Sequence, residues 1–172
     1  MKIVMLDRRV FLLSAAASLL AGNSLAAQAN DPLAIVSAIY RRAIKEDGGG
    51  FLTLEHKDRL KYLSKSFAAL WKKAEDNTPE GDVLIDADPV SNSQDPDIKS
   101  FSVKQERREA NRATVAATFA EGSERVREAA EDLTVRYDFV FERGRWMIDD
   151  IRGTVGGKPW SIRENLEHAL KY

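Results

Sequence analysis

Five aspartates crowd into residues 82–97: Asp82, Asp86, Asp88, Asp95 and Asp97, with Asn92 and Gln94 between them. Oxygen donors at that density suit a hard cation such as calcium. The spacing argues against it. With Asp86 as the first residue of a twelve-residue calcium loop, Asp88 and Asp97 fall at positions three and twelve. Val90 and Ser91 then fill positions five and six, where an oxygen ligand and a glycine belong, and Pro89 stiffens position four. Asp and Asn also cap turns, and proline sets them. No metal is assigned here. Asp86, Asp88, Gln94 and Asp95 are instead candidates for contact with a partner protein, on an acidic loop spanning 82–97.

Other chemistry is sparser. His56 and His168 are the only histidines, and neither has a second histidine at metal-ligand spacing. There is no cysteine, hence no thiolate nucleophile, thiolate metal site or disulfide. No Gly-x-Ser-x-Gly elbow occurs, and Gly48-Gly49-Gly50 is not followed by the Lys-Ser/Thr of a phosphate loop. No cofactor is expected.

The elements that must position these residues follow from periodicity. Asp31-Pro32 reads as an N-cap and first helical residue. Leu33, Val36, Tyr40 and Ala43 then recur at helical spacing, and Gly48–Gly50 ends the helix. A second helical region runs from Thr53 to about Asn77, with Leu60, Leu63, Phe67, Leu70, Trp71 and Ala74 on its apolar face. Ser64 offers a second N-cap that would divide it. Residues 77–98 read as an ordered loop with at most a short strand at Val83–Ile85. The period then changes to two. Phe101 and Val103, then Ala113–Phe119, then Leu133–Phe141 alternate with polar or small neighbours, as strands with one buried face do. Arg143-Gly144 turns the third strand into a fourth, Arg145–Val155, and Gly156-Gly157 closes the sheet. Ser161-Ile162-Arg163-Glu164 is a capping box opening a last helix. The expectation is an α+β domain over 30–172: N-terminal helices packed on a curved four-stranded antiparallel sheet, with a short C-terminal helix.

That order of elements, with the ending Gly144-Arg145-Trp146-Met147-Ile148-Asp149-Asp150-Ile151, resembles the cone-shaped domains of the nuclear transport factor two and ketosteroid isomerase type. A narrower likeness lies in Asp86-Ala87-Asp88-Pro89, Gln94-Asp95 and the Trp-x-Ile-Asp-Asp-Ile ending. These resemble a family of small exported bacterial proteins of unknown function, whose enterobacterial members are typically lipoproteins. This chain lacks the lipid-attachment cysteine. The cone resemblance implies a ligand pocket between sheet and helices, lined by Tyr40, Trp71, Tyr137, Phe139 and Trp146. The same residues can equally fill a solid core. An isomerase or dehydratase also needs an acid inside that face. Strand parity puts Asp150 on the side of Trp146 and Ile148, which makes it the single catalytic candidate. A structural acid at a strand end is the competing reading.

Charge and leader narrow the setting. The chain has 26 basic and 27 acidic residues; without residues 1–29 the balance is 23 to 26, a net charge of −3. Mixed signs and a negative balance argue against nucleic acid. Arg8-Arg9-Val10-Phe11-Leu12 precedes an apolar run to Ala21, and Ala27-Gln28-Ala29 follows as a cleavage site. This is the layout of a cleaved secretory signal over 1–29, resembling the twin-arginine type, and it points to the periplasm. The apolar run is too short to span a membrane. The chain thus reads as an exported, non-enzymatic binding protein for an unknown protein or a small apolar ligand. The alternative is a small enzyme of ketosteroid isomerase or dehydratase type.

Overall fold

The computed structural model describes residues 30–45, 56–94, 96–122 and 127–171. The leader read from residues 1–29, the Gly48–Gly50 helix stop and Asp95 lie outside them. Helix α1 spans Pro32–Lys45 and starts where Asp31 caps it: the Asp31 carboxylate accepts the Leu33 N–H at 3.2 Å. The second helical region is divided, as Ser64 suggests. One turn, α2, covers His56–Arg59, and α3 covers Lys65–Asn77. The Ser64 Oγ accepts the Phe67 N–H at 3.1 Å, satisfying one of the amides that a helix start leaves without an intrahelical partner.

The sheet is an antiparallel meander of five strands in chain order: β1 Ile98–Arg108, β2 Arg112–Glu121, β3 Thr134–Glu142, β4 Arg145–Val155 and β5 Lys158–Ser161. This corrects the expected four. Gly156-Gly157 does not close the sheet but turns it once more. Both glycines have positive φ (56° and 73°), as a two-residue hairpin of the primed type requires. The fifth strand hides in the sequence because it is four residues long and contains Pro159, which a strand tolerates only at an edge. Beside the other half of β4, residues 62–64 run as a cover. The Ile148 N–H donates to the Tyr62 carbonyl and the Ser64 N–H to the Ile148 carbonyl, both at 2.7 Å. That edge of β4 is thereby covered at Ile148 and from Arg152 to Val155.

The ladder between β3 and β4 carries a bulge. Asp138 faces Asp150 and Phe139 faces Ile148, so Asp149 is an extra residue on β4. The extra residue reverses the parity beyond it. Ile148 and Ile151 both point into the core, fully buried, and Asp150 shares the outer face with Asp138. The parity reading that placed Asp150 beside Trp146 and Ile148 is overturned by that one inserted residue. Inside, Phe119, Val115 and Ala117 of β2 and Val135, Tyr137 and Phe139 of β3 meet Val36 and Tyr40 of α1 and Phe67 and Trp71 of α3. Helix α4, Ile162–Ala169, packs against α3 and β4.

A short 3-10 turn, η1 (Ala130–Leu133), holds the β4–β5 hairpin through Asp132. Its buried carboxylate accepts the Thr154 hydroxyl at 2.9 Å, the Gly156 N–H at 2.9 Å, and the Gly157 and Ala129 N–H groups at 3.4 and 3.3 Å. Burial opposes its ionisation, but these donors outweigh it and hold the carboxyl below its ordinary value. Stability from a depressed acid is present above its unfolded pKa, about 3.9, and is lost as pH falls through the folded one. Asp132→Asn is therefore expected to cost about 1–3 kcal/mol at pH 7 in urea unfolding. The gap to the native protein should close as the pH is taken below about 4.

Candidate functional site

The acidic loop is a hook docked into the core rather than a free surface loop. Asp88 and Ser93 pair backbone to backbone, and the Asp88 carboxylate accepts the Ser91 N–H at 3.3 Å and the Ser91 hydroxyl at 3.2 Å. Val90, at the tip, is fully buried, and its carbonyl accepts the Tyr40 hydroxyl at 2.8 Å. Asn92 sits in the left-handed region (φ 52°), a conformation asparagine tolerates. Its side-chain amide donates to the carbonyls of Asp132 and Thr154, at 2.9 and 2.5 Å. Arg127, paired with the buried Glu121 carboxylate at 2.5 Å, donates to the carbonyls of Asn92 and Ser91. At the base, the Gln94 side-chain amide donates to Asp86 at 2.6 Å. The expected short strand at Val83–Ile85 does not form. The chain there bends at Leu84 and has no ladder partner.

The motif residues thus divide by role. Asp88 and Asn92 shape the hook, and Asp86 and Gln94 close it while staying exposed. Among the described residues, no three Asp, Glu or His side chains converge in a way that would hold a metal ion. The geometry accounts for it: the Asp88 carboxylate is turned into its own loop.

The acids after Trp146 bind at the starts of two helices. Asp149 accepts the Ser64 hydroxyl at 2.6 Å, the Ser66 hydroxyl at 3.1 Å and the Arg163 guanidinium at 2.8 Å. It ties the start of α3 to α4. Asp150 accepts the Ser161 hydroxyl at 2.7 Å, the Arg163 N–H at 3.0 Å and the Ile151 N–H at 2.8 Å. Ser161 is itself the N-cap of α4, accepting the Glu164 N–H at 3.1 Å. Burial pushes the Asp150 carboxyl up from its ordinary value; the hydroxyl and N–H donors pull it partly back, and Asp138 across the ladder adds to the rise. Arg152 pairs with Asp138 at 2.6 Å.

The aromatic residues proposed as a pocket lining lie in packed surroundings. Tyr40 and Tyr137 are fully buried, with ring centroids 6.3 Å apart, and Phe139 is nearly so. Phe101 and Phe119 close on Tyr40 at 5.2 and 6.3 Å. Trp71 meets Phe67, and Trp146 meets Phe141, edge to face. The Tyr137 hydroxyl has no partner in hydrogen-bond geometry among the described residues, and burial holds it protonated far above the ordinary phenol range. Among the described residues, none of the five candidates lines either of two surface clefts.

The larger cleft, about 430 Å³, lies between the hook and α4. Leu84, Ile85, Ala87 and Pro89 form one wall; Val155, Trp160, Ile162 and Ala169 form the other. Asp86, Asp88, Asn92, Asn165 and His168 supply the polar groups. The volume is within the range of small-molecule sites, about 300–1,000 Å³, and so is the makeup, apolar walls with few polar groups. Trp160 reaches its place only because Gly153 faces it: a Cβ there would stand 2.8 Å from the indole. Of these residues the sequence reading singled out Asp86 and Asp88 alone as site candidates. The rest escaped because Val155, Trp160 and Asn165 meet the loop only once the fifth strand is in place. Comparison with family models, curated proteins and solved structures finds no match.

The Asp150 geometry makes a prediction opposite in sign to that for Asp132. A raised acid favours the fold in its protonated form, so its contribution is full below the unfolded pKa and lost as pH rises through the folded one. Asp150→Asn keeps an oxygen for the Arg163 N–H and is expected to cost less than about 1 kcal/mol at pH 7, against about 1–3 kcal/mol for Asp150→Ala. Urea unfolding at pH 7 and near pH 4 should show the native protein gaining on Asp150→Asn at the lower pH.

Proposed function

We propose that this is an exported binding protein, without catalytic activity, whose site is the cleft between the hook and α4. One observation carries the reading: an apolar-walled cavity of about 430 Å³ stands at this place, whereas aromatic side chains fill the space between sheet and helices. A small, largely apolar ligand fits such walls. The cleft is framed by elements held by hydrogen bonds that are buried or partly buried, the hook through Asn92 and α4 through Asp150, so it is organised before a ligand arrives.

The reading of export is supported by the twin arginines Arg8 and Arg9, the apolar run and the Ala27-Gln28-Ala29 site, which together favour a periplasmic location. No helix among the described residues is long and apolar enough to cross a membrane. The bonds of Asp150 to Ser161 and Arg163 count against the isomerase alternative, because a proton-transfer acid must reach a substrate and this one lies on the outer face.

The neutral dye N-phenyl-1-naphthylamine, which brightens in apolar surroundings, tests the site. The native protein is expected to bind it, and Ala169→Trp, which fills the cleft from α4, to weaken binding at least about tenfold, or 1.4 kcal/mol. Tyr137→Phe, which removes only a buried hydroxyl, should leave dye binding unchanged. Binding that ignores Ala169→Trp but responds to Tyr137→Phe would move the site into the sheet interior and defeat the reading.

A further inference from the structure

We infer that the ligand of this cleft carries a positive charge: an apolar amine rather than an alcohol or a fatty acid. This rests on the cleft being the binding site. Its argument is charge complementarity. Among the described residues lining the cleft none is a lysine or arginine, whereas two are carboxylates, Asp86 and Asp88. The second cleft shows the contrast: Lys65, Arg143 and Arg145 line it, with Glu142 as its only acid. The surface has thus sorted its charges by sign between the two.

The two carboxylates act differently. Asp88 is buried and bound to Ser91, so its carboxyl is fixed in the loop and cannot swing to meet a ligand. Asp86 is exposed at the rim and gives one oxygen to the Gln94 amide, which orients the carboxylate while leaving its second oxygen for an ammonium donor. The apolar walls hold the hydrocarbon part of the ligand and lower the local dielectric, which strengthens the attraction. A carboxylate head at the same place meets the like charge of Asp86 and is disfavoured. Among the described lining residues His168 is the one basic side chain, and the comparison is made at one fixed pH, 8, where an alkylamine is charged.

Calorimetric titration of the mature protein with n-octylamine, n-octanol and n-octanoate, at concentrations where each is monomeric and in low salt, tests the inference. Octylamine is expected to bind about tenfold tighter than octanol, and octanoate more weakly than either. Asp86→Asn should bring octylamine down to the level of octanol and leave octanol unchanged, with an unaltered melting temperature as the folding control. Equal affinity for amine and alcohol, or preference for octanoate, overturns the charge assignment and leaves the apolar cleft standing. Octylamine binding that survives Ala169→Trp, or the failure of all three to bind, overturns the cleft reading as well. The series in the native protein decides the matter even if the Asp86 variant folds poorly.

Discussion

One inserted residue, Asp149, organises this protein. A regular β4 would carry Asp150 into the core beside Ile148, where an unpaired carboxylate is among the costliest groups to bury. The bulge keeps Ile148 and Ile151 inside and turns the two acids toward helix starts. Asp149 then takes the Ser64 and Ser66 hydroxyls at the head of α3, and Asp150 takes Ser161 and the Arg163 amide at the head of α4. Negative charge at those positions also complements the helix dipoles. Arg163 links the two helix starts, donating to the Asp149 side chain and carbonyl while lying over the Phe67 ring.

The cleft depends on that arrangement at one remove. Its α4 wall stands where Asp150 puts the helix, and its Trp160 stands where the Gly156-Gly157 hairpin brings β5 back along β4. The opposite wall is set by the hook. Val90 anchors the hook in the core, Asn92 ties it to Asp132 and Thr154, and Asp132 in turn gathers the amides of the same hairpin. Both walls therefore meet at the β4–β5 turn, which is held by a carboxylate in a nest of N–H groups. The fold makes a concave surface from its last 20 residues and one loop, and leaves the sheet interior filled.

The sequence made the local features legible and hid the long-range ones. Asp31-Pro32, Ser64, Arg143-Gly144 and the capping Ser161 each mark an element end through contacts within four residues, and each is found where those contacts predict. The alternation of β2 and β3 is regular because one face meets a continuous core. Three things escaped. The fifth strand is short, carries Pro159 and follows a Gly-Gly pair that reads equally as a stop or as a hairpin. The bulge leaves no mark in a count of two, so parity sent Asp150 to the wrong face. The hook looked like a charged surface loop because five acids outweigh one valine in composition, yet Val90 at 0% exposure decides where the loop lies. A cleft formed by such a loop and a strand more than 60 residues further on cannot be read from spacing.

The central claim is that ligand binds between the hook and α4, not between sheet and helices. Amide correlation spectra of the isotope-labelled protein, recorded while the neutral naphthylamine dye is added, test it residue by residue. The account predicts shifts confined to residues 84–92 and 153–169, with the amides of Tyr40, Tyr137 and Phe139 unmoved. Shifts centred on those three core residues, with the hook and α4 silent, would contradict it.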